Sequence, residues 1–280
     1  MDGRTKSIFR RGELACHCLL LETDAGLVLV DTGLGLRDVA DPRGRLSAFF
    51  LALLSPDFRE EMTAVRQLQR LGYDAADVKH IVLTHLDFDH AGGLDDFPGA
   101  TVHMLAVEKE YAMRQATWLD RQRFRPQQWS TVDNWRVYPM GADDKWLGFE
   151  QVRVPDGLPP TILLVPLTGH TFGHAGVAID RGDKWLLSAG DAYFYHRETD
   201  PERPYCTPGL RFYQWMMDKD RAARVWNQHR LRWLKRNRPA EVEIFCGHDV
   251  TEYERLSGHS ARMPAAAPPQ EYGSPRPGTA

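Results

Sequence analysis

The chain has 280 residues, of which 42% are hydrophobic and 26% charged, and these ordinary globular values exclude extensive disorder. Because 35 Lys and Arg stand against 38 Asp and Glu, the formal net charge is −3, which gives no support to a nucleic-acid partner or a polybasic membrane anchor. Four cysteines, no apolar run of ~18 residues and an N-terminal segment without an apolar signal core predict a soluble cytoplasmic protein.

The N-terminal part of the chain contains a predicted hairpin followed by a predicted helix. Two apolar runs between Cys16 and Asp31 flank a Thr-Asp-Ala-Gly turn, which predicts a β-hairpin. Apolar residues then recur every three positions over 62–71, and Gly72 follows them. This pattern predicts a helix that ends at the glycine.

Short apolar runs alternate with polar loops over the rest of the chain, which is typical of α/β proteins. Strands are predicted over 78–83, 101–105, 162–166, 185–188 and 242–245, and helices over 108–129 and 219–236. Residues 259–280 are rich in proline and alanine. We therefore expect one domain over 1–258 and a disordered tail over 259–280.

One polar loop gathers metal-binding side chains at the end of a predicted strand. The loop reads Thr-His-Leu-Asp-Phe-Asp-His-Ala-Gly-Gly, and its four candidate ligands are His85, Asp87, Asp89 and His90. A divalent cation needs several such donors converging on one point, and the following glycines let the backbone fold back on itself. The loop therefore predicts a metal site.

Three more candidate ligands follow predicted strands in the same way. His170, Asp191 and His248 each come directly after a glycine that follows an apolar strand. The repeated order of strand, glycine and donor predicts that these side chains meet the first loop at one edge of a sheet sandwich.

These motifs together resemble the metallo-β-lactamase superfamily. The resemblance implies an α/β protein with a four-layer αββα sandwich and two divalent metal ions per chain. It implies a first site made of His85, Asp87, His170 and Asp191, and a second site made of Asp89, His90, His248 and the same Asp191. It also implies supporting roles for Asp31, near the loop, and for His174, near His170.

The sequence departs from the family pattern at Asp87, where the family usually has a second histidine. A carboxylate adds a hard oxygen donor and a negative charge, which moves the preference of the first site from zinc toward iron or manganese. Zinc remains the expected metal in the purified protein. On this interpretation Asp87→His raises the zinc affinity of the first site.

The implied chemistry is hydrolysis of an ester or lactone by hydroxide formed on the metals, because paired cations lower the pKa of a water between them. Asp89 is the candidate proton carrier, and Tyr193 or Tyr195 the candidate hydrogen-bond donor to the oxyanion, although both tyrosines could instead pack in a lid. The loop and the Cys-Gly-His-Asp motif resemble N-acyl homoserine lactonases. The partner expected is a small-molecule substrate, with no nucleic acid or membrane, and the chain is expected to be a monomer or homodimer.

Three alternatives remain open on the sequence. A thioesterase of the glyoxalase II type shares the motifs. A di-iron oxidoreductase also resembles the pattern, although the residues after His248 are too few for a flavin domain. A metal-poor ligand-binding protein would use the pocket without turnover.

Two further groups of residues lie outside these motifs. The aromatic segments 118–129 and 193–215 either line an acyl pocket or pack helices. Cys16 and Cys18 lie on the face of a strand opposite to His17, so we expect them to be buried small apolar residues rather than metal ligands.

Overall fold

Two β-sheets form the centre of the computed structural model, which describes residues 2–5, 12–141 and 144–261. The strands of the first sheet, in their spatial order, are β1 Leu19–Thr23, β2 Gly26–Val30, β3 Val78–Val82, β4 Thr101–Leu105 and β5 Trp135–Tyr138. A separate hairpin follows, consisting of β6 Asp144–Trp146 and β7 Phe149–Val152. The strands of the second sheet are β8 Ile162–Pro166, β9 Ala175–Asp180, β10 Trp185–Ser188 and β11 Val242–Phe245, in the spatial order β11-β10-β9-β8.

The helices lie between and after these strands. The α-helices of the described residues are α1 Leu36–Ala40, α2 Pro42–Arg45, α3 Ala48–Leu54, α4 Ala64–Arg70, α5 Phe88–Ala91, α6 Ala106–Arg114, α7 Trp118–Arg123, α8 Pro208–Met217, α9 Arg221–Asn237 and α10 Val250–Ser257. Single 3₁₀ turns occur at Glu60–Met62, Ala75–Asp77, Leu94–Asp96, Pro126–Gln128 and His196–Thr199. No helix in the part of the chain described here is long and apolar enough to cross a membrane.

The side chains of the strands show that the chain is built in four layers. In β2, Leu27 and Leu29 pack with α4, whereas Val28 and Val30 on the opposite face pack against the second sheet. This division follows from the two-residue period of a strand. The outer face of the second sheet packs on Leu231 of α9. The order is therefore helix, sheet, sheet, helix.

Most predicted elements are present. The hairpin is formed by β1 and β2, four of the predicted strands have the expected bounds, and Gly72 ends the predicted helix with a φ of +87°. The prediction of one helix over 108–129 is wrong, because Gln115 has a left-handed φ of +43° and separates α6 from α7. Strand β9 was not predicted. Most of the predicted tail, from residue 262 onward, lies outside the described residues.

A buried hydrogen-bond chain joins β3, β4 and β5. The Asp156 N–H donates to the Tyr138 hydroxyl at 2.8 Å, and the same hydroxyl is hydrogen-bonded to His103 Nδ1, also at 2.8 Å. His103 Nε2 is hydrogen-bonded to His80 Nδ1 at 2.9 Å. His103 therefore has a hydrogen-bond partner on each of its ring nitrogens.

We expect His103, in this hydrogen-bonded group, to make the free energy of unfolding depend on pH. Burial, together with the charge of His80, lowers the pKa of His103 from 6.5 to about 4. Between these values the unfolded state takes up the proton and the folded state does not, so stability falls as the pH drops from 6.5 toward 4, by about 3 kcal/mol in total. Urea unfolding measured across this pH range should show that the free energy of unfolding declines less in His103→Gln than in the wild type. His229→Gln, at an exposed position, should match the wild type. If the free energy of unfolding changed equally with pH in the wild type and both variants, His103 would not be the residue responsible.

Candidate metal centre

The loops that follow the strands bring all seven predicted ligand residues together. His85 to His90 lie in the loop after β3 and in α5, His170 follows β8, Asp191 follows β10 and His248 follows β11. Their donor atoms fall into adjoining groups, in each of which the atoms lie within 4.8 Å of one another. The residues concerned are buried, except for Asp89, which is partly exposed.

The first site contains two histidines and two carboxylates. His170 Nε2 lies 3.0 Å from Asp87 Oδ2 and 3.3 Å from Asp191 Oδ2. His85 Nε2 lies 3.4 Å from Asp87 Oδ2 and 3.7 Å from Asp191 Oδ2. All four side chains therefore direct an atom capable of binding a metal toward a common point.

The second site uses the other oxygen of the same aspartate. Asp191 Oδ1 lies 3.2 Å from His90 Nε2 and 3.1 Å from His248 Nε2. Asp89 Oδ2 lies 3.7 Å from His248 Nε2, but its ligand atom falls into a group with His248 and Cys16 rather than into that of His90 and Asp191. Asp191 thus joins the two sites through its two oxygens.

Neighbouring groups fix which nitrogen of His85, His90 and His248 faces the centre. His90 Nδ1 donates to Asp31 at 2.8 Å, and His248 Nδ1 donates to the carbonyl oxygen of Ala15 at 2.7 Å. Thr84 gives its hydroxyl proton to Asp31, so its oxygen accepts from His85 Nδ1 at 2.9 Å. The Nε2 lone pairs of these three histidines are therefore available for a metal.

The donor set fits divalent cations. His85 Nε2 is buried and makes no hydrogen bond with the described residues. The Nε2 atoms of His90 and His248 face each other at 3.3 Å, so either a proton or a metal ion between them would separate the two lone pairs. Although burial lowers it, the charge of Asp191 raises the pKa of His248 to about 9. Nitrogen and carboxylate donors of this kind suit zinc.

Asp31 and His174 hold the ligands from outside the centre. Asp31 accepts from both the N–H and the hydroxyl of Thr84, each at 2.8 Å, in addition to His90. His174 Nδ1 donates to the carbonyl of Leu167, and its Nε2 accepts the N–H of Asp191 at 2.8 Å. His174 therefore positions the backbone of the aspartate that the two sites share.

Glu108, which the sequence did not single out, joins two of the ligand loops. Its side chain is buried in the first turn of α6. One carboxylate oxygen accepts the N–H of Leu86 at 3.0 Å, and the other accepts the N–H of Gly173 at 3.1 Å. Leu86 lies between two ligands and Gly173 lies in the loop of His170, so Glu108 fixes the distance between these loops.

We expect Glu108→Ala to weaken both folding and metal binding. It leaves two buried N–H groups without acceptors, which lowers the free energy of unfolding by roughly 3 kcal/mol. Displacement of the loops should reduce zinc affinity by about 10- to 100-fold. Urea unfolding and zinc titration measure the two effects, and Glu110→Ala, an exposed position on the same helix, is the control. Unchanged zinc affinity in Glu108→Ala would show that the loops hold their spacing without this carboxylate.

Arg123, at the end of α7, also lies beside the centre and was not predicted. A backbone bridge between Asp87 and Phe124 brings α7 to the metal loop. Arg123 Nε donates to Asp87 Oδ1 at 2.6 Å, and Nη2 contacts the other Asp87 oxygen and lies 2.8 Å from His170 Nε2. The side chain has 0% exposure.

The structure does not bring the two predicted tyrosines to the cavity beside the metal centre. The Tyr193 hydroxyl donates to Glu252 at 3.0 Å, and Tyr195 packs against His196. Tyr213 of α8 lines the cavity instead. Burial and the charges of Asp89, Asp87 and Asp191 raise the pKa of Tyr213 well above its usual range. The sequence indicated the aromatic segment 193–215 as a candidate pocket lining but did not single out Tyr213 within it.

A cavity of about 670 Å³ opens beside the second site. Asp89, His248, Phe194 and Tyr213 are among the residues that line it. Its walls are largely aliphatic and include Leu19, Leu20, Leu53, Leu54, Leu68 and Leu71. Segment 118–129 contributes no lining residue among those described, and segment 193–215 contributes only Phe194 and Tyr213, so of the two alternatives for these aromatics the lining of a pocket applies to two residues.

Cys16 also lines this cavity, contrary to the expectation that it is buried. Its side chain is exposed, and its sulfur lies within 4.8 Å of ligand atoms of Asp89 and His248. Cys18 is half-buried. The thiol of Cys16 is therefore a neighbour of the second site.

Comparison with known proteins agrees with this geometry. The model of the metallo-β-lactamase superfamily matches residues 11–248. A probable metallo-hydrolase of Mycobacterium tuberculosis is 42% identical over 242 residues, which cover 86% of this chain and 76% of the relative. An N-acyl homoserine lactonase of a Bacillus species is 28% identical over 194 residues, which cover 69% of this chain and 70% of the relative.

A solved structure has the same fold. The crystal structure of a Bacillus thuringiensis protein with N-decanoyl-L-homoserine bound at its active site matches with a TM-score of 0.63 at 23% identity. The match covers 86% of this chain and 84% of that chain. The expected family and four-layer fold are confirmed, and the chain is a metallo-hydrolase of the metallo-β-lactamase superfamily.

Proposed function

We propose that the protein hydrolyses an ester or lactone of the N-acyl homoserine lactone class, with zinc as its metal. The observation that carries the proposal is one buried carboxylate, Asp191, shared by two sets of metal ligands beside an aliphatic cavity. The relation to lactonases supports the same substrate class.

The cavity supports a substrate with an apolar chain and a polar end. Leucine side chains form much of its wall, whereas Asp89 and His248 lie at the metal centre. Its volume of about 670 Å³ is that of a small-molecule site. An acyl chain along the leucines would place its carbonyl group beside the second site.

The side chains around the centre have separable roles in this reaction. Bound divalent ions would polarise the carbonyl and supply a nucleophile from water. Asp89, 15% exposed at its side chain, faces the cavity and is positioned to pass a proton to the leaving alkoxide. The hydroxyl of Tyr213 donates a hydrogen bond to the oxygen on which charge develops.

A substrate panel tests the proposal. The zinc-loaded protein should hydrolyse N-acyl homoserine lactones, with a higher kcat/KM for long acyl chains than for short ones, and chelation should abolish turnover. A thioester and a phosphodiester belong in the same panel. Preference for the thioester would favour the thioesterase alternative, and inactivity toward the whole panel after reconstitution with zinc, manganese or iron would contradict a hydrolytic role.

We expect Tyr213→Phe to lower kcat by about 100-fold, as removal of one oxyanion donor does elsewhere. Zinc content should stay unchanged because the phenol is not among the grouped metal ligands. Tyr195→Phe is the matched control, since this ring does not line the cavity. A loss of activity in Tyr195→Phe, with Tyr213→Phe unaffected, would return the role to the tyrosine predicted from sequence.

A further inference from the structure

A guanidinium uses the same atoms that would bind a metal at the first site. Arg123 Nη2 lies 2.8 Å from His170 Nε2 and contacts Asp87 Oδ2. These are two of the four donor atoms of that site. A lone pair on His170 Nε2 that accepts an N–H cannot at the same time bind a metal.

Arg123 has little freedom to move away. Its Nη1 donates to the carbonyl of Met217 at 2.7 Å and its Nε donates to Asp87 at 2.6 Å. The guanidinium also lies 5.2 Å from the ring of Phe124. Because the side chain is fully buried, a rotation that broke the pair with Asp87 would leave an isolated charge in the interior.

The charge of Asp87 at the first site is already balanced. Asp87 adds a negative charge at this position, and the positive charge of Arg123 offsets it. The second site differs, because the ion pairs of Asp89, Asp191 and Asp31 there are with histidines and not with a buried guanidinium. A divalent ion at the second site would therefore meet carboxylates, whereas one at the first site would also meet a fixed cation.

We propose that Arg123 is a built-in cation of the first site, so that the chain binds one divalent ion tightly at the second site and a second ion much more weakly. The inference rests on the metal centre of the proposed function. On this inference Arg123 is a positioning residue that sets how many metal ions the centre holds. Asp87 and Arg123 then act together, because the charge of each balances that of the other.

Zinc titration of the chelator-stripped protein tests this. The wild type should bind one zinc ion at least 100-fold more tightly than a second. Arg123→Met should tighten the second binding at least tenfold and change the first less than threefold. Arg121→Met, an exposed position two residues away on the same helix, should match the wild type. Two equally tight zinc ions in the wild type, or no change in Arg123→Met, would overturn the inference.

Two further measurements test the inference even if Arg123→Met does not fold. The double variant Asp87→His with Arg123→Met removes both charges together and should bind two zinc ions of similar affinity. Manganese titration of the wild type, followed by electron paramagnetic resonance, should show isolated ions up to one equivalent. A signal from coupled manganese pairs below one equivalent would overturn the inference.

The zinc titration also separates this inference from the proposed function. Two zinc ions bound with equal affinity would contradict this inference but not the proposed function, because two ions that share Asp191 could still serve hydrolysis. Absence of zinc binding at any stoichiometry would remove both.

Discussion

Replacing Asp191 by asparagine should abolish tight metal binding and lower kcat/KM by roughly a thousand-fold or more, because several kcal/mol of transition-state stabilisation depend on the metals. Asp191 approaches His85 and His170 with one oxygen and His90 and His248 with the other. An amide has the same shape but carries no charge. The substitution therefore weakens both sites at once.

Elemental analysis and lactone hydrolysis, measured on the same preparation, check this expectation. The N–H of Asp191 would still donate to His174, so the loop should keep its backbone position and circular dichroism should be unchanged. Asp183→Asn, an exposed position in the preceding turn, is the control. Normal zinc content in Asp191→Asn would show that the ligand assignment is wrong.

The ligand residues that could be predicted from the sequence lie in loops that directly follow strands. Asp191 and His248 each follow a strand and a glycine, and the parallel strands β10 and β11 end side by side. Side chains at neighbouring strand ends meet for geometrical reasons, so their convergence can be predicted from order and spacing alone. The same reasoning held for the loop that begins at His85.

The part that the sequence did not predict comes from helices. Glu108 and Arg123 occupy helical segments in which charged residues are common, and Arg121 and Arg125 close to Arg123 look the same in the sequence. Only the packing of α7 against the metal loop, through the bridge between Asp87 and Phe124, distinguishes Arg123. Contacts between distant segments leave no local pattern, and for the same reason Tyr213 was missed.

The pair of Asp87 and Arg123 leads to the other large effect that we expect. Asp87→Asn removes the counter-ion of a fully buried guanidinium, which should lower the free energy of unfolding by about 3–5 kcal/mol. The sequence alone led us to expect that Asp87→His would raise zinc affinity. Because Arg123 remains in that variant, we now expect it to be destabilised as well.

A double-mutant cycle measures the interaction directly. Urea unfolding in the presence of a chelator should show that Asp87→Asn combined with Arg123→Met is more stable than Asp87→Asn alone, since no buried charge then lacks a partner. Asp57→Asn breaks an exposed ion pair with Arg59 and should change stability by less than about 1 kcal/mol. If the two aspartate substitutions had equal effects, the buried pair would contribute no more than a surface one. A large coupling energy between the two substitutions would instead show that the effect of a change at position 87 depends on the residue at position 123. The reason is that each residue carries the charge that offsets the cost of burying the other.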